Sequence, residues 1–298
     1  MSHDDLIENI WKSEFDGIFL HRLNQALEDE NFALNRLGSN RAALRGLQKG
    51  SRLHVAASII AQRGGCTVTE TSLSSDCLGV QSLIQELLIE SWAKHNGCWV
   101  NSTGSYLRNK YGEKIGSGSE SVVFLDGATV VKEWKTYKYE SVQLALDRIT
   151  IHNTIFPETF LKVEGFGRTE SGDFSVLVRQ PFILINGGLV SDEEVVDYMQ
   201  SIGFEETQGY GGCNSRIHSE YVNRDFYIAD LHKENIVRFD HPSGGFYFFV
   251  IDCMAYFNTP GLGLDGSFLL GEPEEWAFKS ENAWPYDIHL SDTPLHYQ

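Results

Sequence analysis

Apolar residues recur at three- and four-residue intervals over roughly residues 3–95, a helical period. The run "DDLIENIWKSEFDGIFLHRLNQALEDENFALNRLG" ends at Gly38 and "RAALRGLQKGSRLHVAASIIAQRGG" ends at Gly64-Gly65, both C-cap residue types. "VQSLIQELLIESWAKHNG" sets Leu83, Ile84, Leu87, Leu88 and Trp92 on one predicted face before Gly97. From Tyr111 the period shortens. "EKIGSGSESVVFLDGATVVKEW" carries two β-branched runs around Asp126-Gly127, a dipeptide suited to tight hairpin turns, with a glycine loop just before it. "KYESVQLALDRITIHNTIF" returns to the helical period with Val142, Leu146, Ile149, Asn153 and Phe156 as its stripe, ending before Pro157. "KVEGFGRTESGDFSVLVRQPFI" reads as a second hairpin turning near 171–173. The predicted order is strand, strand, strand, helix, strand, strand.

After the link "INGG" a short helix is expected at about 191–201, with Ser191 as N-cap. "YVNRDFYI", "IVRF" and "FYFFVI" are apolar runs, the last leading straight into Asp252, and the chain after Cys253 has weak periodicity. Domains are expected at 1–97 (helical), 98–184 (strand-rich with one helix) and 185–298.

Composition narrows the partners. Lys plus Arg total 24 against 41 Asp plus Glu, a formal charge of −17, which at long range repels nucleic acid and anionic membranes. No export or spanning segment is visible, and five scattered cysteines without a C-x-x-C suggest free thiols in a reducing cytoplasm.

The candidate chemistry lies where polar groups interrupt the strands. Gly116, Ser117, Gly118, Ser119 and Val123 follow G-x-G-x-x-[G]-x-V with Ser121 in the third glycine's place, and Lys132 closes the next strand nine residues after Val123. Such a loop can offer backbone N–H groups to phosphate, and the lysine a point charge. "GLGLDG" at 261–266 also matches a glycine pattern, but lacks the strand before it and helix after it. In "ADLHKENIV", Asp230, His232 and Asn235 fall at offsets of zero, two and five between strands, more than turning requires.

Together, the glycine loop, the lysine, Asp230-x-x-x-x-Asn235 and the later Asp252 resemble the protein-kinase-like superfamily. "DLHKEN" is similar to the catalytic loops of protein and small-molecule kinases. "IGSGSESVVFLDG", "LDRITIHNTIFPETF", "GFG" and "VRQPFI" resemble the kinase-like domain of polyvalent proteins of phages and conjugative elements, over roughly 80 to 260. The resemblance implies an α+β bilobal fold, with a small antiparallel-sheet N-lobe, a reduced C-lobe and an N-terminal helical extension.

It also implies ATP and Mg²⁺. Gly116 and Gly118 would cradle phosphate and Lys132 would hold it. Asp230 would orient the acceptor hydroxyl, and Asn235 and Asp252 would bind the metal. An acidic partner for Lys132 is expected on the following helix, Asp147 or Glu140, the longer spacing favouring Asp147. Main-chain groups beside Pro181, at Gln180 and Phe182, are the candidates for adenine. His232 could be catalytic or could tie its loop to nearby backbone.

The pattern departs at Ser121, at Ile228 in place of the histidine of H-R-D, and at Cys253-Met254 after the metal aspartate. "GEPEEW" at 271–276 reads as an acidic loop. Only 46 residues follow Asp252, fewer than a peptide-binding helical platform takes, so the acceptor could be a protein or a small molecule. A catalytically inactive nucleotide-binding module is the alternative. A metal hydrolase is a more distant reading, since His218 and His241 give no ligand spacing.

Overall fold

The computed structural model describes residues 1–28, 52–65, 75–118, 120–136, 141–207 and 220–258. Two units divide the chain after Leu184. "GLGLDG", "GEPEEW", Ser119, Glu140 and His218 lie outside the described residues.

The first unit opens with α1 (His3–Glu14) and α2 (Gly17–Glu28), followed by α3 (Arg52–Gly65) and α4 (Ser75–His95). Ser2 and Asp5 form a reciprocal capping box that starts α1. A second start at Gly17 divides the helix that the periodicity ran together, with Phe15 as the C-cap of α1. The Ser91 hydroxyl donates to the Ile7 carbonyl at 3.1 Å, and Trp11 stacks on His95 at 3.9 Å, which fixes α1 to α4. Among the described side chains of α4, Gln85 and Leu88 through Ala93 are buried, while Leu83 and Ile84 are exposed, so the buried face coincides with the predicted one only at Leu88 and Trp92.

Six strands follow: β1 (Trp99–Asn101), β2 (Lys114–Ser117), β3 (Ser121–Asp126), β4 (Thr129–Lys135), β5 (Lys162–Arg168) and β6 (Phe174–Pro181). Their sheet order is β1-β5-β6-β4-β3-β2. Five are antiparallel as expected, and β1 adds a parallel edge to β5 that three residues of sequence did not announce. The glycines of "GFG" explain its seat. A Cβ at Gly167 would lie 2.2 Å from the Val100 carbonyl oxygen, and one at Gly165 2.9 Å from that of Cys98, so only glycine admits β1 this closely.

Two helices flank this sheet, α5 (Thr103–Tyr111) and α6 (Val142–Ile155). The predicted stripe of α6, Val142 through Phe156, is buried throughout. Phe15, Leu23, Ala56 and Ile60 from the early helices share one core with Leu146 and Ile149 of α6 and with Val163, Phe166 and Val176 of the sheet. The helices before residue 97 are therefore built into the same core as the strands after it.

The second unit begins with α7 (Asp192–Ser201), capped by Ser191 and Glu194 in another reciprocal box. A four-stranded antiparallel sheet, ordered β12-β9-β8-β7, comprises β7 (Glu205–Thr207), β8 (Glu220–Val222), β9 (Phe226–Ala229) and β12 (Met254–Phe257). Sequence periodicity missed β7 and β12, which are three and four residues long, and ran β8 and β9 together in "YVNRDFYI". A separate hairpin joins β10 (Ile236–Asp240) to β11 (Phe246–Val250) through a turn in which Gly244 and Gly245 take positive φ. Among the described residues, no helix is long and apolar enough to cross a membrane.

Candidate active site

The first unit carries the glycine loop and the lysine. In the β2–β3 hairpin the Gly118 N–H donates to the Ser121 carbonyl at 2.8 Å, and Ser117 and Gly118 are exposed at its tip. Among the described residues, nothing crowds these glycines. A Cβ at Gly116 would make ordinary contact with Val123 at 3.7 Å, and one at Gly118 would meet nothing within 4 Å. A backbone left bare where the fold has room is consistent with a ligand approaching it closely.

Lys132 lies between Val123 on β3 and Val178 on β6 and is 6% exposed. The register puts it on the same sheet face as Trp134 and Val178, the face that packs on α6. Glu133, the next residue on β4, therefore turns to the opposite face, under α5. Lys132 is thus presented by a strand buried on both sides.

Asp147 lies on α6, where the Gln143 Nε2 donates to its Oδ1 at 2.6 Å. Burial pushes its carboxyl up to about 7, and the Gln143 hydrogen bond only partly opposes this. A carboxyl raised above its unfolded value takes up protons on folding. Its stabilising contribution is complete below the unfolded pKa of 3.8 and is lost as pH rises through about 7. Asp147→Asn is therefore expected to gain stability over the wild type as pH rises, by at most about 4 kcal/mol above neutrality. Paired melting curves from pH 5 to 8 check this. The opposite trend would mean that a cation holds the carboxylate ionised, as pairing with Lys132 requires.

At the end of β6, Gln180 is buried and its Nε2 donates to the Thr159 carbonyl at 2.9 Å. The Phe182 N–H donates to Ala128, in the β3–β4 turn, at 3.0 Å. Of the two positions proposed for adenine, Phe182 has its N–H already engaged by the β3–β4 turn.

The second unit carries the acceptor-orienting and metal-binding candidates, placed by two strand ladders. β9 runs into Asp230, and its partner β12 begins two residues after Asp252, with Ala229 opposite Met254. β10 starts immediately after Asn235, and β11 ends two residues before Asp252, with Ile236 opposite Val250. The Ile251 N–H donates to the Asn235 carbonyl at 2.9 Å, extending that ladder by one bond. The 230–235 loop and the segment around Asp252 are therefore threaded between the same two strand pairs.

Asp230 has φ 55, and Ser102 is the other non-glycine residue with positive φ among those described. Left-handed backbone at a non-glycine residue costs on the order of 1–3 kcal/mol and persists only where the surroundings impose it. Here Asn235 does so, its Nδ2 donating to the Asp230 carbonyl at 2.8 Å. His232 places Nε2 3.7 Å from Asp230 Oδ1 and Nδ1 2.7 Å from Glu234 Oε2. The histidine thus lies between two carboxylates, and its Nε2 is also 3.3 Å from Asn235 Nδ2. The Cys253 N–H donates to Asp252 Oδ1 at 3.0 Å, fixing one carboxylate oxygen.

One pair escaped the sequence reading. Arg148 on α6, 3% exposed at its side chain, reaches Glu120 of the glycine loop at 2.5 Å and lies over the Trp134 ring at 5.1 Å. Glu120 is also anchored by its backbone, its carbonyl accepting from the Lys135 N–H at 2.9 Å. An acid within a phosphate-type loop and an arginine between apolar stripe positions were the available signals.

Fold and loop placement together define a protein of the kinase-like class. Within that class, the chain belongs to the family described as Serine/Threonine/Tyrosine Kinase found in polyvalent proteins. The family's model matches residues 84–259, more than half of the 298. No curated protein and no solved structure matches the chain.

Proposed function

We propose that the protein is an ATP–Mg²⁺-dependent phosphotransferase that moves the γ-phosphoryl group to a hydroxyl acceptor, with Asp230 orienting that hydroxyl. The observation carrying this reading is Asp230 itself, a left-handed aspartate clamped through its carbonyl by Asn235, beside the segment that ends in Asp252. A turn between two strands has no need of that strained, polar arrangement. Phosphoryl transfer does, because its catalysis is mostly positioning and charge stabilisation.

The bare backbone at 116–118 and the Lys132 ammonium would hold the phosphates. Asn235 and Asp252 supply hard oxygen atoms of the kind Mg²⁺ takes, with phosphate and water completing its shell. When bound, the metal would neutralise charge on the phosphates. The Asp230 carboxylate would accept the acceptor's hydroxyl proton as the oxygen attacks, and His232, within reach of that carboxylate, would hold it in place. Asp147, kept protonated by burial in the nucleotide-free protein, is the proposed acidic partner of Lys132 once nucleotide binding brings the ammonium to it, and the main chain at Gln180 and Phe182 is the proposed contact for adenine.

Incubation with γ-labelled ATP and Mg²⁺ should transfer label to a hydroxyl of the protein or of a lysate component, read by mass spectrometry. In addition, ATP with Mg²⁺ should raise the melting temperature, a hundredfold excess over Kd corresponding to about 2.7 kcal/mol. Lys132→Ala should diminish that rise. An unchanged melting curve in millimolar ATP would remove the nucleotide from the proposal.

A further inference from the structure

The sheet face opposite Lys132 carries a cavity of about 440 Å³, roofed by α5 and bounded by the β5–β6 turn. Its floor is mixed. Val122 and Phe124 supply apolar surface, and between them and the turn lies Glu133, 4% exposed. One oxygen of Glu133 accepts from the Thr103 hydroxyl. No lysine or arginine among the described residues forms an ion pair with this carboxylate.

A buried carboxylate without a paired cation is costly to keep charged. Burial does push Glu133 above the usual carboxylate range, and the Glu170 charge adds to the effect while Lys135 opposes it. Glu170 has a structural task of its own, accepting from both the Ser105 N–H and the Ser105 hydroxyl at 2.7 Å near the start of α5. A side chain at Gly104 would crowd it, since a Cβ there would lie 3.0 Å from Glu170 Oε2. Glu133 has no comparable second contact. Around the same cavity stand the cations Arg108, Lys114 and Lys135 together with the acids Glu113, Glu170 and Asp173, and Arg108 is drawn to Glu170.

We propose that this cavity binds a small zwitterion, with a primary ammonium group seated on Glu133, an aliphatic stem along Val122 and Phe124, and a carboxylate toward the rim cations. The ammonium would pair directly with the carboxylate, which Lys135 influences without an ion pair, and the stem would cover the apolar floor. Because consecutive residues of a strand point to opposite faces, this site is separate from the face that presents Lys132, and it does not depend on the phosphotransferase reading.

The probe is 6-aminohexanoate, titrated calorimetrically into the full chain, with hexanoate and hexylamine as single-charge controls. Saturable binding is expected for 6-aminohexanoate, at least tenfold tighter than for either control. Glu133→Gln keeps the acceptor for Thr103 and should weaken binding at least tenfold. Should Glu133→Gln fail to fold, amide shifts of the wild type decide the matter. They should move at 104–108, 122–124 and 133–135 and stay still at 116–118. No saturable binding, equal binding of hexanoate, or shifts confined to the glycine loop would each overturn the proposal.

Discussion

Asp230→Asn is expected to lower turnover by about 10²- to 10⁴-fold, the range for removing a positioned general base, while ATP–Mg²⁺ affinity stays close to the wild type. The amide keeps the shape, and Asn235 holds residue 230 through its main-chain carbonyl, which the substitution leaves in place. What is lost is the carboxylate charge that the proposed function assigns to orienting the acceptor. Asp252→Asn should do the reverse in binding, removing Mg²⁺-dependent nucleotide affinity by replacing an anionic oxygen with an amide. Titration of ATP with and without Mg²⁺ on both variants, beside single-turnover labelling, separates the roles. Equal damage to binding in both would dissolve the division of labour, and full turnover in Asp230→Asn would leave the protein a nucleotide-binding module whose chemistry lies elsewhere.

Much of this arrangement was legible because strong local signals coincided with it. Asp126-Gly127 marks the β3–β4 hairpin, the stripe from Val142 to Phe156 marks α6, and Ser191 marks the start of α7. In each case, side-chain spacing and backbone preference point the same way. The segments that escaped are those without a local signal. β1 and β7 have three residues each, too few to show a period of two, and they exist because of partners distant in sequence. The buried face of α4 has a similar cause. Leu83 and Ile84 fit the helical period, but the neighbours of α4 cover the side bearing Gln85, Leu88 and Ile89 instead, which only tertiary packing decides.

The site divides along the same line. Residue types and spacing nominated Gly116, Lys132, Asp230, Asn235 and Asp252 from linear order. The left-handed backbone of Asp230, the placement of His232 between two carboxylates, and the link from Arg148 to Glu120 depend on how strands and helix meet. Spacing along the chain could propose Asp147 as an ionic partner. It could not anticipate that burial and Gln143 would be the groups setting its proton affinity.

Arg148→Ala is expected to be the most destabilising single substitution proposed for the first unit. The guanidinium is almost wholly buried, and its partner Glu120 retains 20% of its side-chain exposure, so solvent screens the pair little. Removing one member of a buried pair costs about 3–5 kcal/mol. For a unit of this size, that corresponds to a fall in melting temperature of roughly 6–20 °C. Glu120→Gln removes the charge yet keeps an acceptor for the guanidinium, so its loss should be smaller. The pair also joins the glycine loop to α6, and with the Glu120 carbonyl held by Lys135 it fixes the loop's far side while leaving Gly118 open. Glu120→Ala, if folded, should therefore raise the KM for ATP more than it lowers kcat, since the loop loses its anchor and Asp230, proposed to orient the acceptor, is untouched. A wild-type melting curve for Arg148→Ala, or its restoration to wild type by half-molar salt alone, would show that the contact is a surface pair without structural weight.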